Sequence, residues 1–102
     1  MVTSEEKNDP PATTGARTVV VTHRTGLHAR PCLAIVNTAR KFRSKAQIQS
    51  GAKKANAGEI LEILCLGAEG GTEVTLTATG PDANEALDAL VRLFETNFGF
   101  DD

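Results

Sequence analysis

Apolar and polar residues follow two different periods along this chain, and each change of period marks a new element. A β-branched run at residues 18–22 predicts a first strand, and alternation at 46–49 and 72–79 predicts two more. Between the first two strands the apolar spacing lengthens to that of an amphipathic helix. The apolar face of this helix comprises Cys32, Ile35, Val36, Ala39 and Phe42.

The remaining segments continue this change between short strands and helices. Residues 53–56 follow a glycine-containing turn and can return as a short partner strand. An apolar stretch at 59–66 predicts a short helix that Gly67 closes. A last helix begins at Asp82, which can cap it, and Glu85 completes a capping-box-like pair. The apolar face of this last helix comprises Ala83, Ala86, Leu87, Leu90, Val91 and Phe94.

The predicted order is strand, helix, strand, strand, helix, strand, helix. Antiparallel strands with the helices packed on one face would bury the apolar side of every element. We therefore predict an α+β fold: an open-faced β-sandwich in which a four-stranded antiparallel sheet carries three helices on one face. Residues 1–16 contain prolines, mixed charges and no periodicity, so we predict a flexible N-terminal tail there and one folded domain over 17–102.

Composition excludes several classes of function. The net charge of −2 over 102 residues argues against a general nucleic-acid binder, which would be clearly basic. No apolar run approaches the roughly 20 residues that cross a bilayer, and the polar start lacks the apolar core of a secretion signal. We therefore expect a cytoplasmic protein with no membrane insertion.

The cysteines and histidines predict neither a metal site nor a cofactor. Cys32 and Cys65 lie in apolar stretches without the spacing of metal ligands, so we predict two buried, reduced thiols. His23 and His28 are not spaced as a ligand pair. We interpret His23 as a surface residue at a strand end, whereas His28 lies in a distinctive motif.

That motif is the run Thr25-Gly26-Leu27-His28-Ala29-Arg30-Pro31, between the first strand and the first helix. The N–H groups and the macrodipole of a helix N-terminus attract phosphate-like anions. A histidine there is nucleophilic near neutral pH, and Arg30 beside it can fork onto phosphoryl oxygens. The backbone N–H groups of Ala29 and Arg30 can bind the same oxygens, while Pro31 has no N–H to lose. The residues therefore predict a phosphohistidine site at His28.

In this strand-to-helix context the motif resembles the histidine-containing phosphocarrier (HPr) family of the bacterial phosphoenolpyruvate:sugar phosphotransferase system. The resemblance runs from about Thr18 to Phe98 and includes Ala55-Asn56-Ala57 before the second helix. In that family enzyme I phosphorylates the histidine on Nδ1, and the group then passes to sugar-specific enzyme II A components. The resemblance implies that His28 is the phosphoryl acceptor and that Arg30 stabilises the phosphate.

The second predicted helix has more apolar residues than one buried face of so short a helix needs. They are Ile60, Leu61, Ile63, Leu64 and Leu66. An exposed apolar patch is typical of a docking surface. In the family this helix meets enzyme I and the sugar-specific acceptors, so the resemblance implies that Ile60, Leu61 and Leu64 contact these partners. Deeper burial of these side chains is the alternative.

The position at the start of the second helix departs from the family pattern. Some members carry a serine there, which a dedicated kinase phosphorylates, whereas this chain has Glu59. We therefore expect no serine-kinase control at this position. Glu59 can simply stabilise the helix N-terminus. Alternatively, its standing negative charge partly imitates phosphoserine and alters the choice of partner.

Three functions remain open at this point. The first is a monomeric phosphocarrier, with no turnover of its own, that takes a phosphoryl group from phospho-enzyme I and passes it on for sugar uptake. The second is a regulatory HPr-like protein, in which kinases or regulators read the phosphorylation state of His28 without sugar transport. The third is an interaction module in which His28 is never phosphorylated.

Overall fold

Four antiparallel strands form one layer of the fold, and three helices cover one of its faces. The computed structural model describes residues 13–22 and 26–99, so tail positions 1–12, His23 and the motif residue Thr25 lie outside the described residues. The strands are β1 (Thr13–Val20), β2 (Lys45–Ser50), β3 (Lys53–Asn56) and β4 (Glu73–Gly80). The helices are α1 (Ala29–Ala39), α2 (Ile60–Cys65) and α3 (Ala83–Glu95), and a 3₁₀ turn follows at Asn97–Gly99. The predicted α+β open-faced sandwich and its order of elements are confirmed.

The sheet has the order β1-β4-β2-β3, and each neighbouring pair is antiparallel. Alternate residues of β4 are buried under the helices: Val74, Leu76 and Ala78. Strand β1 begins at Thr13, which pairs with Gly80, so residues 13–16 belong to the sheet rather than to the predicted tail. The reason is that backbone pairing with β4 continues past the apolar part of β1, and no side-chain pattern signals it.

The core lies between the sheet and the buried faces of α1 and α3. Its largest fully buried side chains include Ile35, Ile48, Leu76, Leu87, Leu90 and Phe94. The apolar faces predicted for α1 and α3 are confirmed, except that Phe42 follows the last residue of α1 and is only half-buried. The rings of Phe94 and Phe98 meet edge to face with centroids 4.9 Å apart, which closes the core at the C-terminal end of α3.

Asp82 is the N-cap residue of α3, but its carboxylate does not cap the helix as predicted. It accepts hydrogen bonds from the N–H groups of Arg43 (2.9 Å) and Ser44 (2.8 Å) and from Ser44 Oγ (2.5 Å). The Ser44 hydroxyl in turn accepts the Asp82 N–H at 3.0 Å. The bond from the Ser44 side chain, followed by the Arg43 amide, lowers the pKa of the Asp82 carboxyl below its usual value. Asp82 therefore ties the start of α3 to the segment that leads into β2.

The prediction of two buried thiols is correct for Cys32 and wrong for Cys65. Cys32 lies in the core, and burial raises the pKa of its thiol to about 11, which keeps it protonated and unreactive. Cys65 is exposed. In this short helix it follows Ile63 by two positions, which places it on the opposite side from that buried residue. Helical spacing, rather than the apolar neighbourhood in sequence, decides its exposure.

Candidate functional site

His28 is the N-cap residue of α1 and lies where the chain changes from an extended to a helical path. Its φ and ψ are −110° and −168°, and its carbonyl accepts the first intrahelical hydrogen bond, from Cys32 N at 3.0 Å. Within the described chain its imidazole makes no capping hydrogen bond to the helix. The residue is half-buried, while Ala29 and Arg30 beside it are exposed. The structure therefore places the predicted acceptor at an accessible helix mouth.

The first turn of α1 is suited to an anion. The N–H groups of Ala29 and Arg30 belong to the part of a helix where no preceding turn supplies acceptors. Pro31 is buried and has no N–H, and the next amide, that of Cys32, is taken by the His28 carbonyl. The described first turn also carries no acidic residue. A negatively charged group beside His28 would therefore meet backbone donors, the helix dipole and the Arg30 charge.

The start of α2 is fixed relative to the end of α1 by an arginine. Arg40 donates from Nε (3.1 Å) and Nη2 (2.8 Å) to the Gly58 carbonyl, one residue before the N-cap of α2. The Asn56 side chain accepts the Gly58 N–H at 2.8 Å, and Glu62 accepts the Asn56 N–H at 2.8 Å. These bonds set the position of α2 beside the helix that carries the histidine.

The N-cap of α2 is Glu59, the residue for which the sequence analysis predicts the loss of a regulatory serine. It has an extended backbone, with φ −125° and ψ 107°, and its side chain is exposed. In the described chain the carboxylate makes no capping hydrogen bond, although the Glu59 carbonyl accepts the Ile63 N–H at 3.2 Å. The negative charge therefore stands at the surface beside the first turn of α2.

The predicted contact residues of α2 differ in exposure. Leu61 is 73% exposed, whereas Ile60 and Leu64 are half-buried and pack against the core. Ile63 and Leu66 are buried, which accounts for the surplus of apolar residues in this helix. The prediction that part of the apolar surface stays exposed is therefore correct, although partner contact at these residues stays a prediction.

Leu33 is a further exposed apolar residue that the sequence analysis missed. It lies on α1 and is 51% exposed, off the buried stripe of that helix. It follows Ala29 by four positions and Arg30 by three, so it shares their side of the helix. The signal was present in the sequence, because a leucine outside the apolar stripe is a large side chain that the core does not use.

Comparisons with known proteins agree with this geometry. A family model described as the PTS HPr component phosphorylation site matches residues 16–96. The phosphocarrier protein HPr of Treponema pallidum (strain Nichols) is 39% identical over 82 residues, which cover 80% of this chain and 93% of that protein.

Two solved structures have a similar fold. The crystal structure of HPr-C-His from Thermoanaerobacter tengcongensis matches with a TM-score of 0.82 and 42% identity, covering 85% of this chain and 98% of that one. The catabolite repression containing protein Crh of Bacillus subtilis, described as a dimer with a swapping domain, matches with a TM-score of 0.67 and 39% identity. That match covers 72% of this chain and 85% of the other. With the histidine motif at the mouth of α1, these matches show that the chain belongs to the HPr family of phosphocarrier proteins.

Proposed function

We propose that this protein accepts a phosphoryl group from phospho-enzyme I onto His28 and passes it to enzyme II A components for sugar uptake. The observation that carries the proposal is the position of His28, half-buried at the N-cap of α1 beside the exposed Ala29 and Arg30. The partners are those that the family implies. The protein acts as a carrier, since a phosphoryl group that arrives must leave again before the next can be accepted.

The chemistry needs little beyond positioning and charge stabilisation. The Nδ1 lone pair of neutral His28 attacks phosphorus, a new P–N bond forms, and the bond from phosphorus to the donor breaks with its electron pair leaving on the donor. The Ala29 and Arg30 amides and the Arg30 guanidinium stabilise the negative charge on the equatorial oxygens. In the second step the acceptor attacks phosphorus and the electron pair of the P–N bond returns to His28.

The docking surface of the proposed carrier combines α1 and α2. Leu61 and Leu33 are its most exposed apolar side chains, and Ile60 and Leu64 extend it at half burial. Each exposed leucine loses unfavourable contact with water when a partner covers it, which favours docking next to the histidine. The proposed functional form is the monomer, because one small surface must serve both the donor and the acceptor.

Glu59 separates this chain from family members that carry a regulatory serine. We propose that its fixed charge contributes to partner choice at the start of α2. Replacement by Gln removes the charge and keeps the shape, so the affinity for enzyme I is expected to change. An unchanged affinity would leave Glu59 with only the stabilising role that any acidic residue has at a helix N-terminus.

The test of the function is phosphorylation from phosphoenolpyruvate by purified enzyme I, followed by intact mass under non-acidic conditions. We expect a gain of one phosphate that acid treatment removes and that His28→Ala does not acquire. Adding an enzyme II A component should then discharge the carrier. Absence of any phosphate with an active, cognate enzyme I would overturn the proposal and leave an interaction module.

The similarity to Crh supports a second candidate, a regulatory protein of the same fold. That protein is 39% identical to this chain and is named for catabolite repression. The discharge step distinguishes the two functions. A chain that accepts phosphate on His28 but transfers none to any enzyme II A component would favour regulation over transport.

A further inference from the structure

The turn that leads into His28 packs directly against the loop that follows α2. Gly26 is buried and has a φ of +77°, a left-handed conformation that glycine adopts at little cost. A Cβ built at this position would lie 2.5 Å from the Ala68 carbonyl oxygen and 2.9 Å from Glu69 Cα. Both neighbours are backbone atoms, so neither can rotate away. The two segments can keep their places only while residue 26 is glycine.

Backbone hydrogen bonds join the same two segments. Leu27, directly before the histidine, donates its N–H to the Ala68 carbonyl at 2.9 Å. Val21 donates its N–H to the Thr72 carbonyl at 2.8 Å and accepts the Gly71 N–H at 2.7 Å. The loop after α2 therefore hydrogen-bonds both to Val21, after β1, and to Leu27, directly before His28.

The loop is itself fixed by α2 and by the core. Leu66 and Ala68 are buried, and the Gly67 N–H bonds back to the Leu64 carbonyl at 3.3 Å. Gly67 has a φ of +63°, which turns the chain out of the helix and towards the histidine. The end of α2 is thus linked to Leu27, the residue before His28, through a few backbone contacts rather than through flexible side chains.

We infer that residues 68–72 are a positioning segment for His28, which holds the imidazole at a fixed place relative to the first turn of α1. The inference rests on the proposed phosphocarrier function. Its physical basis is that group transfer requires near-attack geometry, so that a misplacement of about 1 Å can cost about 100-fold in rate. Gly26 and the Ala68 carbonyl are the positioning groups. They act through Leu27 and do not touch the phosphoryl group.

Gly26→Ala tests this role, with Gly51→Ala as the matched control. Gly51 also has a left-handed backbone, with φ +60°, but a Cβ there meets no atom of the described chain within 4 Å. Both variants therefore carry the same kind of backbone strain, and only Gly26→Ala pushes the two segments apart. Circular dichroism and thermal unfolding establish that each variant is folded at the assay temperature.

The readouts are the rate of phosphorylation by enzyme I and the NMR chemical shifts of the His28 imidazole. We expect Gly26→Ala to lower kcat at least 10-fold relative to Gly51→Ala and to move the His28 ring resonances, because the ring leaves the helix N-terminus. A purely structural role would move neither readout in a folded variant. Equal kcat and superimposable His28 ring resonances in the two variants would overturn the inference.

Ala68→Gly decides the question if Gly26→Ala does not fold. It keeps the carbonyl but loosens the backbone that holds it, so we expect kcat to fall several-fold in a folded protein. An unchanged kcat would count against the positioning role. Failure of the carrier function is distinct, since the wild type itself would then take up no phosphate from enzyme I.

Discussion

Helices α1 and α3 begin in opposite ways, although neither N-cap side chain caps its own helix within the described chain. At α3 the N-cap is Asp82, whose carboxylate is held by Arg43 and Ser44. At α1 the N-cap is His28, and the first turn contains no acidic residue. A carboxylate from the chain itself thus lies at the positive end of α3, whereas in the proposed function the positive end of α1 receives an anion from outside. Since residues 43–44 follow α1, the two sites lie at opposite ends of that helix.

The difference shows how similar local structure serves stability in one place and chemistry in another. The Asp82 site joins positions far apart in the sequence through side-chain bonds, and every bond is internal. The His28 site is held mainly by backbone hydrogen bonds of its neighbours, which leaves the side chains of Ala29 and Arg30 at the surface. Binding energy at a reactive site is useful only when it is available to the incoming group.

The largest expected effect comes from giving α1 an N-cap side chain that can close its own helix. His28→Asn should abolish phosphorylation completely, because an amide is not a nucleophile towards phosphorus and its oxygen can accept an N–H of the first turn. The free energy of unfolding should rise by about 0.5–1 kcal/mol, as for other good N-cap residues. Intact mass and urea unfolding measure the two effects. A phosphorylated His28→Asn protein would place the acceptor elsewhere.

A smaller effect is expected from Arg30→Ala, which removes the side-chain cation from the α1 mouth. Loss of a charge-assisted hydrogen bond to the transferring group should slow phosphorylation on the order of 10–100-fold with the fold unchanged. Arg43→Ala is the control, because it removes a similar exposed charge from the far end of α1 while its backbone N–H still reaches Asp82. Equal rates for the two variants would remove Arg30 from the site.

Leu61→Gln tests whether the surface beside α1 contributes to partner binding without affecting phosphoryl transfer at His28. The side chain is 73% exposed and lies on the helix beside α1, so covering it should contribute to partner binding. We expect the KM of enzyme I for this carrier to rise on the order of 10-fold with kcat nearly unchanged, because the reacting groups are intact. Steady-state phosphorylation by a fixed amount of enzyme I at varied carrier concentration measures both. A fall in kcat alone would contradict a docking role.

The smallest effect belongs to Asp82 and concerns only stability. The folded pKa of this carboxyl lies below its unfolded value of about 3.9, so its contribution is complete above that value and is lost as pH falls through the folded pKa. Asp82→Asn should be less stable than wild type at pH 7, and the gap should close in acid. Urea unfolding at several pH values measures it.

Asp88→Asn is the matched control for that pH series. Asp88 lies on the same helix, and its pairing with Arg17 is exposed and 3.4 Å long, so it should contribute little at any pH. Phosphorylation by enzyme I should be unchanged in both variants. A rate defect in Asp82→Asn would contradict the separation between the two ends of α1.

The sequence was most informative where one helix face or one short motif determines the outcome. The stripe containing Ile35 and Val36 identifies α1, and the stripe containing Leu87 and Leu90 identifies α3. Apolar side chains that recur at helical spacing lie on one face of the helix, and that face packs against the core. His28 could be placed at a helix mouth because glycine, proline and the change of period lie side by side in the chain.

Features that depend on partners distant in the sequence were not predictable from local pattern. Asp82 meets Ser44, which lies 38 positions away, so its carboxylate was expected to cap α3. The packing of Gly26 against Ala68 likewise appears only once α2 and the histidine turn are brought together. The start of β1 at Thr13 depends on backbone pairing with β4 and leaves no trace in hydropathy.

Pro31 has a consequence for how tightly the first turn of α1 could bind an anion. In any helix the N-cap carbonyl accepts the fourth amide, as that of His28 accepts the Cys32 N–H, so it is Pro31 that removes a donor from the first turn. A first turn with fewer donors would bind the transferred group less tightly. In the proposed carrier, weaker binding would favour release to the acceptor, because a group that is held too tightly slows every later step of the relay.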